Sequence, residues 1–254
     1  MAKIKIKNRT IDIDAVIFDK DGTLIEIFPM LHAVLKERIK ELLKFIPKKI
    51  IPDYKKGVGI NLKTGTINPY GPLACAPRHE EIIVCAQILF RHGYPYHEAR
   101  NIAKKAYDKA DFGMDLKKGL KIIPGADKLL KELKKKKIKI FIVTSDSVCR
   151  TNKMLKILNL SKYIDHVVGS DSVQNCKPEP DAVNFILKKY NLKPDKVAMC
   201  GDSVIDMQMG KNAKVRYNIA VLTGTSTKKE LKKYTGFVLS SVKELKLPLP
   251  IHYS

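Results

Sequence analysis

Asp19 and Asp21 stand two residues apart at the end of a short apolar run, in the sequence Phe18-Asp19-Lys20-Asp21-Gly22-Thr23. Side chains alternate across an extended backbone, so both carboxylates can face one side while Lys20 faces the other. A pair of acids so placed suits a hard, oxygen-seeking ion such as Mg2+. It also allows one carboxylate to act as nucleophile while the other moves protons. Taken alone, the motif also fits an Asx-rich turn in which Gly22 supplies a positive φ.

Other polar groups end other apolar runs. Thr144 and Ser145 follow Ile138 to Val143, and a hydroxyl with backbone N–H groups ahead of a helix is a natural cradle for phosphate oxygens. Lys177 precedes Pro178-Glu179-Pro180-Asp181, so its backbone is held extended just before a helix. Asp202 follows Val197 to Cys200, and Asp206 lies about one helical turn further on, on the same side.

The elements that position these groups are strands alternating with helices. Apolar runs at 13–18, 138–143, 197–200 and 219–222 each break into a polar loop, the last into Thr223-Gly224-Thr225. Between them, 126–136, 148–158, 181–190 and 204–212 carry apolar residues at spacings of three and four. This alternation predicts an α/β, Rossmann-like parallel sheet, with its ligand crevice at the carboxyl ends of the strands. The stretch from about Leu24 to Ile122 breaks the alternation. It holds three helical stripes, Leu31 to Leu43, Ile82 to Phe90 ending at Gly93, and Ala99 to Ala110, with a turn-rich connection at 57–72. The expected organisation is a core of residues 1–23 and 123–254 with an inserted α-helical domain at 24–122.

As an ordered set, FDKDGT at 18–23, Thr144, Lys177 in its KPEP context and GDSVIDM at 201–207 resembles the haloacid dehalogenase-like hydrolase superfamily. The flavour is that of its phosphoglycolate phosphatase-like group, and the insertion resembles the family's C1 cap. The resemblance implies a Mg2+-dependent phosphatase acting on a small phosphomonoester through an aspartyl-phosphate. Asp19 would attack phosphorus, and Asp21 would protonate the leaving oxygen and then activate water. Asp19, the Asp21 backbone carbonyl and Asp202 would hold Mg2+, with Asp206 assisting. Thr144 and Ser145 would hold the phosphoryl oxygens, and Lys177 would offset charge repulsion. A phosphosugar mutase on the same scaffold is the alternative, recognised by isomerised product with little free phosphate.

Electrostatics makes the same demand. An attacking carboxylate and a phosphate oxyanion repel by about 4 kcal/mol per unit charge pair at 4 Å and an effective dielectric of 20, so a divalent ion and a lysine are needed to reverse the sign. Arg78, His79, His92 and His97 could reach a leaving group but read first as helix surface or capping residues, and Glu26 and Phe28 read as candidate crevice lining.

Composition bounds the rest. The chain of 254 residues, 44% hydrophobic and 29% charged, is ordinary globular material, which excludes a fibrous or wholly disordered protein. Its 48 Lys+Arg against 26 Asp+Glu give +22, a field that favours anionic substrates and admits nucleic acid as a partner on charge alone. A noncatalytic polyanion binder rests only on that number. The lysines are spread along the chain, and the run 134–137 continues the stripe of Leu129, Leu130 and Leu133 as the wet end of an amphipathic helix. Five cysteines without a C-x-x-C pair, no apolar segment after the basic start and no long apolar stretch predict a cytoplasmic protein without a membrane partner, monomeric or homodimeric.

Overall fold

The computed structural model describes residues 2–6 and 8–247, and the remaining residues of the expected core, 1, 7 and 248–254, lie outside that description. The chain forms two compact units, one of Met1–Glu26 with Lys121–Ser254 and the other of Ile27–Leu120. The boundaries fall three residues inward of 23/24 on one side and two short of 122/123 on the other. The cause is backbone pairing: Ile25 bridges to Ile122, and the Glu26 N–H donates to the Lys121 carbonyl at 2.9 Å, which keeps these residues in the first unit.

The first unit begins with strands β1 (Ala2–Ile6), β2 (Arg9–Ile13) and β3 (Ala15–Phe18) and continues with β4 (Lys139–Val143), β5 (His166–Val168), β6 (Val197–Gly201), β7 (Tyr217–Val221), β8 (Phe237–Leu239) and β9 (Leu245–Lys246). Six of them make a parallel sheet in the order β5-β4-β3-β6-β7-β8. Ala15, Ile17, Phe141, Val143, Val197 and Met199 pack on one face with Val183 and Ile186 of the helix Asp181–Lys189 and Met209 of the helix Val204–Asn212. The alternate residues Val16, Phe18, Ile140, Ile142, Ala198 and Cys200 are buried too, so the sheet is covered on both faces.

The chain runs from β3 outward to β4 and β5, then returns to place β6 on the other side of β3. That reversal puts a crevice at the carboxyl ends of β3 and β6. Phe18 pairs with Cys200, and the Asp19 N–H donates to the Cys200 carbonyl at 2.8 Å, so the loops that carry Asp19 and Asp202 leave the sheet side by side.

The apolar run 13–18 is not one strand. Ile13 ends β2, and Asp14 bends the chain, its backbone bonded to Lys196 on one side and Lys139 on the other. β2, β1 and β9 form a separate antiparallel sheet that buries Ile4, Ile6, Ile11 and Ile13.

The second unit is helical: Ile27–Leu42, Ile51–Gly57, Pro72–Cys75, Arg78–Arg91 and Tyr96–Gly113. Leu31, Leu35 and Leu42 pack with Tyr54, Ile82, Cys85, Ala86, Leu89, Ala99, Ala103, Ala106 and Tyr107. Small alanines at spacings of three and four let the last helix approach its neighbours closely. Three members of the expected stripes point outward instead: Leu43, Ile83 and Phe90 are 43, 47 and 50% exposed. Leu43 lies beyond the helix end, while Ile83 and Phe90 sit one position off the buried Ile82 and Leu89. The connection at 57–72 closes on an Ile60–Ile67 bridge, with the Asn61 carboxamide accepting from the N–H groups of Lys63 and Thr64. No described helix is long and apolar enough to cross a membrane.

Candidate active site

Asp19, Asp202 and Asp206 are all buried, and each offers a carboxylate oxygen within 4.8 Å of the others. Asp206 is placed by a capping box. The Ser203 hydroxyl donates to Asp206 Oδ2 at 2.6 Å, the Ser203 N–H donates to the same oxygen at 3.1 Å, and Ser203 Oγ accepts from the Asp206 N–H. The Lys177 ammonium enters from the loop after β5 and donates to Asp19 Oδ1 at 2.6 Å and to Asp206 Oδ1 at 2.8 Å.

One ammonium does not neutralise three buried acids. Burial pushes the Asp19 carboxyl well above the usual carboxylate range; Lys177 opposes this, while Asp206, Asp202 and Asp21 reinforce it. Burial and the neighbouring Asp206 raise Asp202 to about 6, against the Thr225 N–H that it accepts. Burial alone would lower Lys177, but Asp19 and Asp206 outweigh it and hold the ammonium above its usual range. Asp19 Oδ2 is buried with no hydrogen-bond partner among the described residues. An all-oxygen donor set, surplus negative charge and an orphaned carboxylate oxygen together fit a hard divalent cation.

Asp21 is placed differently. The strand ends at Phe18, so alternation does not govern residues 19–21. The Asp21 carboxylate is held by Lys20, at 2.8 Å to Oδ1 and 2.6 Å to Oδ2, and is not one of the three clustered acids. Lys20 does not face away from both acids as strand alternation suggests; it is fully buried and its ammonium meets Asp21.

Thr144 directly follows β4 and is buried, and its N–H continues the sheet's bonding, donating to the Val168 carbonyl at 3.0 Å. Its Oγ1 accepts from the Asp146 N–H at 3.2 Å, which leaves the hydroxyl proton to donate. Ser145 is exposed at the following position. The helix begins later, at Val148, with Ser147 as its N-cap. Thr144 N–H is therefore not among the groups open to a ligand.

Several residues without an expected role complete the site. Thr23 Oγ1 donates to Asp202 Oδ1 at 3.3 Å, and Thr225 donates to Asp202 Oδ2 from its N–H at 2.8 Å and its hydroxyl at 3.3 Å. Thr223 Oγ1 donates to the Gly22 carbonyl at 2.5 Å. Gly22, at φ +82°, and Gly224 both press against the Asp202 carboxylate, where a Cβ would collide. The signal for the last group was a fourth strand end breaking into Thr-Gly-Thr. In the helical unit, Arg78 pairs with Asp108 and Asp111 and His92 with Asp53, while His79 and His97 are exposed. Glu26 and Phe28 are half-buried.

The chain belongs to the haloacid dehalogenase-like hydrolase family, whose model matches residues 13–214, and it is a hydrolase of that family. It is 26% identical over 208 residues to a phosphoglycolate phosphatase of Escherichia coli K12, covering 81% of this chain and 80% of that one. It is 25% identical over 233 residues to a phosphorylated carbohydrates phosphatase of Thermotoga maritima, covering 91 and 96%. Its fold is similar to a solved structure, a predicted phosphoglycolate phosphatase from Haemophilus somnus 129pt, with a TM-score of 0.69 at 16% identity over 91 and 96% of the two chains.

Proposed function

We propose that this hydrolase is a Mg2+-dependent phosphatase that cleaves a small phosphomonoester, of the phosphoglycolate or sugar-phosphate type, through an aspartyl-phosphate on Asp19. The observation that carries the reading is the state of Asp19. Lys177 anchors one of its oxygens, and the other, beside two further acids, has no hydrogen-bond partner among the described residues. The printed activities of the Escherichia coli and Thermotoga maritima relatives favour the same substrate class.

In this mechanism Asp19 Oδ2 attacks phosphorus while Lys177 fixes the carboxylate and offsets its repulsion from the ester. Thr144 and Ser145 hold phosphoryl oxygens. Asp21 gives its proton to the leaving oxygen, then takes one from the water that hydrolyses the acyl phosphate. Asp19, Asp202 and Asp206 with the Asp21 backbone carbonyl would hold Mg2+, which would supply charge neutralisation at the transferring group. The unit of Met1–Glu26 and Lys121–Ser254 is then the catalytic core, and that of Ile27–Leu120 a substrate-selecting cap. Five cysteines with no C-x-x-C spacing favour a reducing, cytoplasmic setting.

A panel of phosphate esters assayed for released phosphate with Mg2+, with EDTA and with Asp19→Asn tests the reading. The expected result is Mg2+-dependent turnover that Asp19→Asn loses by several orders of magnitude. Unchanged turnover in EDTA, or isomerised ester without free phosphate, would overturn it.

A further inference from the structure

Two buried ammonium groups divide the acids of the site. Lys177 takes Asp19 and Asp206, and Lys20 takes Asp21. Lys20 has no exposed surface, which is an expensive setting for a charge unless partners compensate it. Those partners are specific. Besides both oxygens of Asp21, the ammonium lies 3.5 Å from Asp146 Oδ2 and donates to Met154 Sδ at 3.4 Å.

Asp146 is itself fixed. Its carboxylate meets Arg150 Nε at 3.1 Å, its N–H donates to Thr144 Oγ1, and its carbonyl accepts from the Ser170 N–H at 3.0 Å. Lys20 thus ties the Asp21 carboxylate to the loop that carries Thr144 and Ser145, and keeps it apart from the three clustered acids. A buried ion pair is a poor source of stability compared with an apolar side chain of similar size. What the pair does provide is a fixed direction for Asp21.

We propose that Lys20 is a positioning residue: it keeps Asp21 out of the cluster of Asp19, Asp202 and Asp206, and in the acid step, with Asp21 in its carboxylic form, it donates to one carboxyl oxygen while the other passes its proton to the departing oxygen. The inference rests on the phosphatase reading above. It concerns orientation, and it makes a prediction that a merely structural lysine does not. An alkoxide leaving group needs a proton as the P–O bond breaks, with the bonding pair going to oxygen, whereas p-nitrophenolate leaves without one. Loss of Lys20 should therefore harm alkyl esters selectively.

The test compares kcat/KM of Lys20→Met and of Lys20→Arg with wild type on an alkyl phosphate and on p-nitrophenyl phosphate, with thermal melting as the control for folding. kcat/KM reports steps up to departure of the leaving group, so the later water step does not mask the difference. For Lys20→Met we expect a loss of about 10- to 100-fold on the alkyl ester, less than the roughly 10²- to 10⁴-fold of general acid catalysis because Asp21 itself remains, and under about 3-fold on the aryl ester. Lys20→Arg, which keeps a donor to Asp21, should recover part of the alkyl-ester loss. In an Asp21→Asn background Lys20→Met should add nothing further. Equal losses on both esters, or an undiminished effect of Lys20→Met in the Asp21→Asn background, would overturn the role of Lys20 and leave the phosphatase reading standing. Wild-type protein that cleaves neither ester would overturn both. If Lys20→Met does not fold, Lys20→Gln is read by the same ratio.

Discussion

The Lys177 ammonium lies 2.6 Å from Asp19 Oδ1, a contact between residues 158 positions apart that joins the loop after β5 to the loop after β3. Because the same ammonium also reaches Asp206, Lys177→Met leaves three buried carboxylates facing one another without a counter-charge. Breaking a buried pair from one side costs about 3 to 5 kcal/mol, so the variant should be clearly less stable in EDTA. Mg2+ should return part of that loss, and chemical denaturation with and without the ion measures both. Activity should fall by about 10²- to 10³-fold, the usual cost of removing one group that stabilises developing charge.

Metal binding should also appear without any assay of turnover. At 100 times its Kd, Mg2+ stabilises a folded protein by about 2.7 kcal/mol, visible as a rise in Tm. Asp202→Asn should abolish most of that rise. An equal rise in wild type and variant would place the ion elsewhere.

The metal-free protein should lose stability as pH increases between about 4 and 6. Asp202 is raised from 3.8 to about 6 in the folded chain, so the folded state binds its proton more tightly than the unfolded one. The advantage is complete below the unfolded pKa and disappears as pH passes the folded value. A shift of this size corresponds to about 3 kcal/mol. Melting in EDTA across this range should show the decline, and Asp202→Asn should flatten it.

Gly22→Ala should damage the site through the backbone. The residue adopts φ +82°, and a Cβ there would lie 2.7 Å from Asp202 Cγ. Strain in that region costs of order 1 to 3 kcal/mol, and the displaced carboxylate should also weaken Mg2+ binding. Titration of Mg2+ by its effect on Tm separates the two. Gly93→Ala makes a useful contrast, since its φ is +92° but nothing lies within 4 Å of the added Cβ. It should cost stability without touching metal affinity.

The strand ends were legible because buried parallel strands read as apolar runs that stop abruptly at polar residues, as at Phe18, Val143 and Cys200. Helix spans were legible from periodicity, and Val204–Asn212 falls where the spacing places it. The β1–β2–β9 sheet was harder to see. Its alternation of Lys and Ile is short, and pairing between β1 and β9 joins the two ends of the unit, a contact that no local pattern records. The break within the run 13–18 has no local signature, because a single acid at Asp14 does not announce that its backbone serves two neighbours. At the site, the approach of Asp19 and Asp202 followed from strand-end topology and that of Asp206 from its place one helical turn further on, whereas Lys177 lies well beyond the end of β5 and only the family resemblance pointed to it. The direction of Asp21 did not, since it depends on where the buried Lys20 finds its partners.

Asp19 as the nucleophile that accepts the phosphoryl group is tested most directly by trapping the covalent step. A substrate carrying labelled phosphate, mixed with the enzyme and Mg2+ and quenched in acid, should leave the label on the peptide that contains Asp19, in a linkage cleaved by hydroxylamine. Asp19→Asn should retain none. Label on another residue, or an Asp19→Asn variant that turns over at the wild-type rate, would contradict the account.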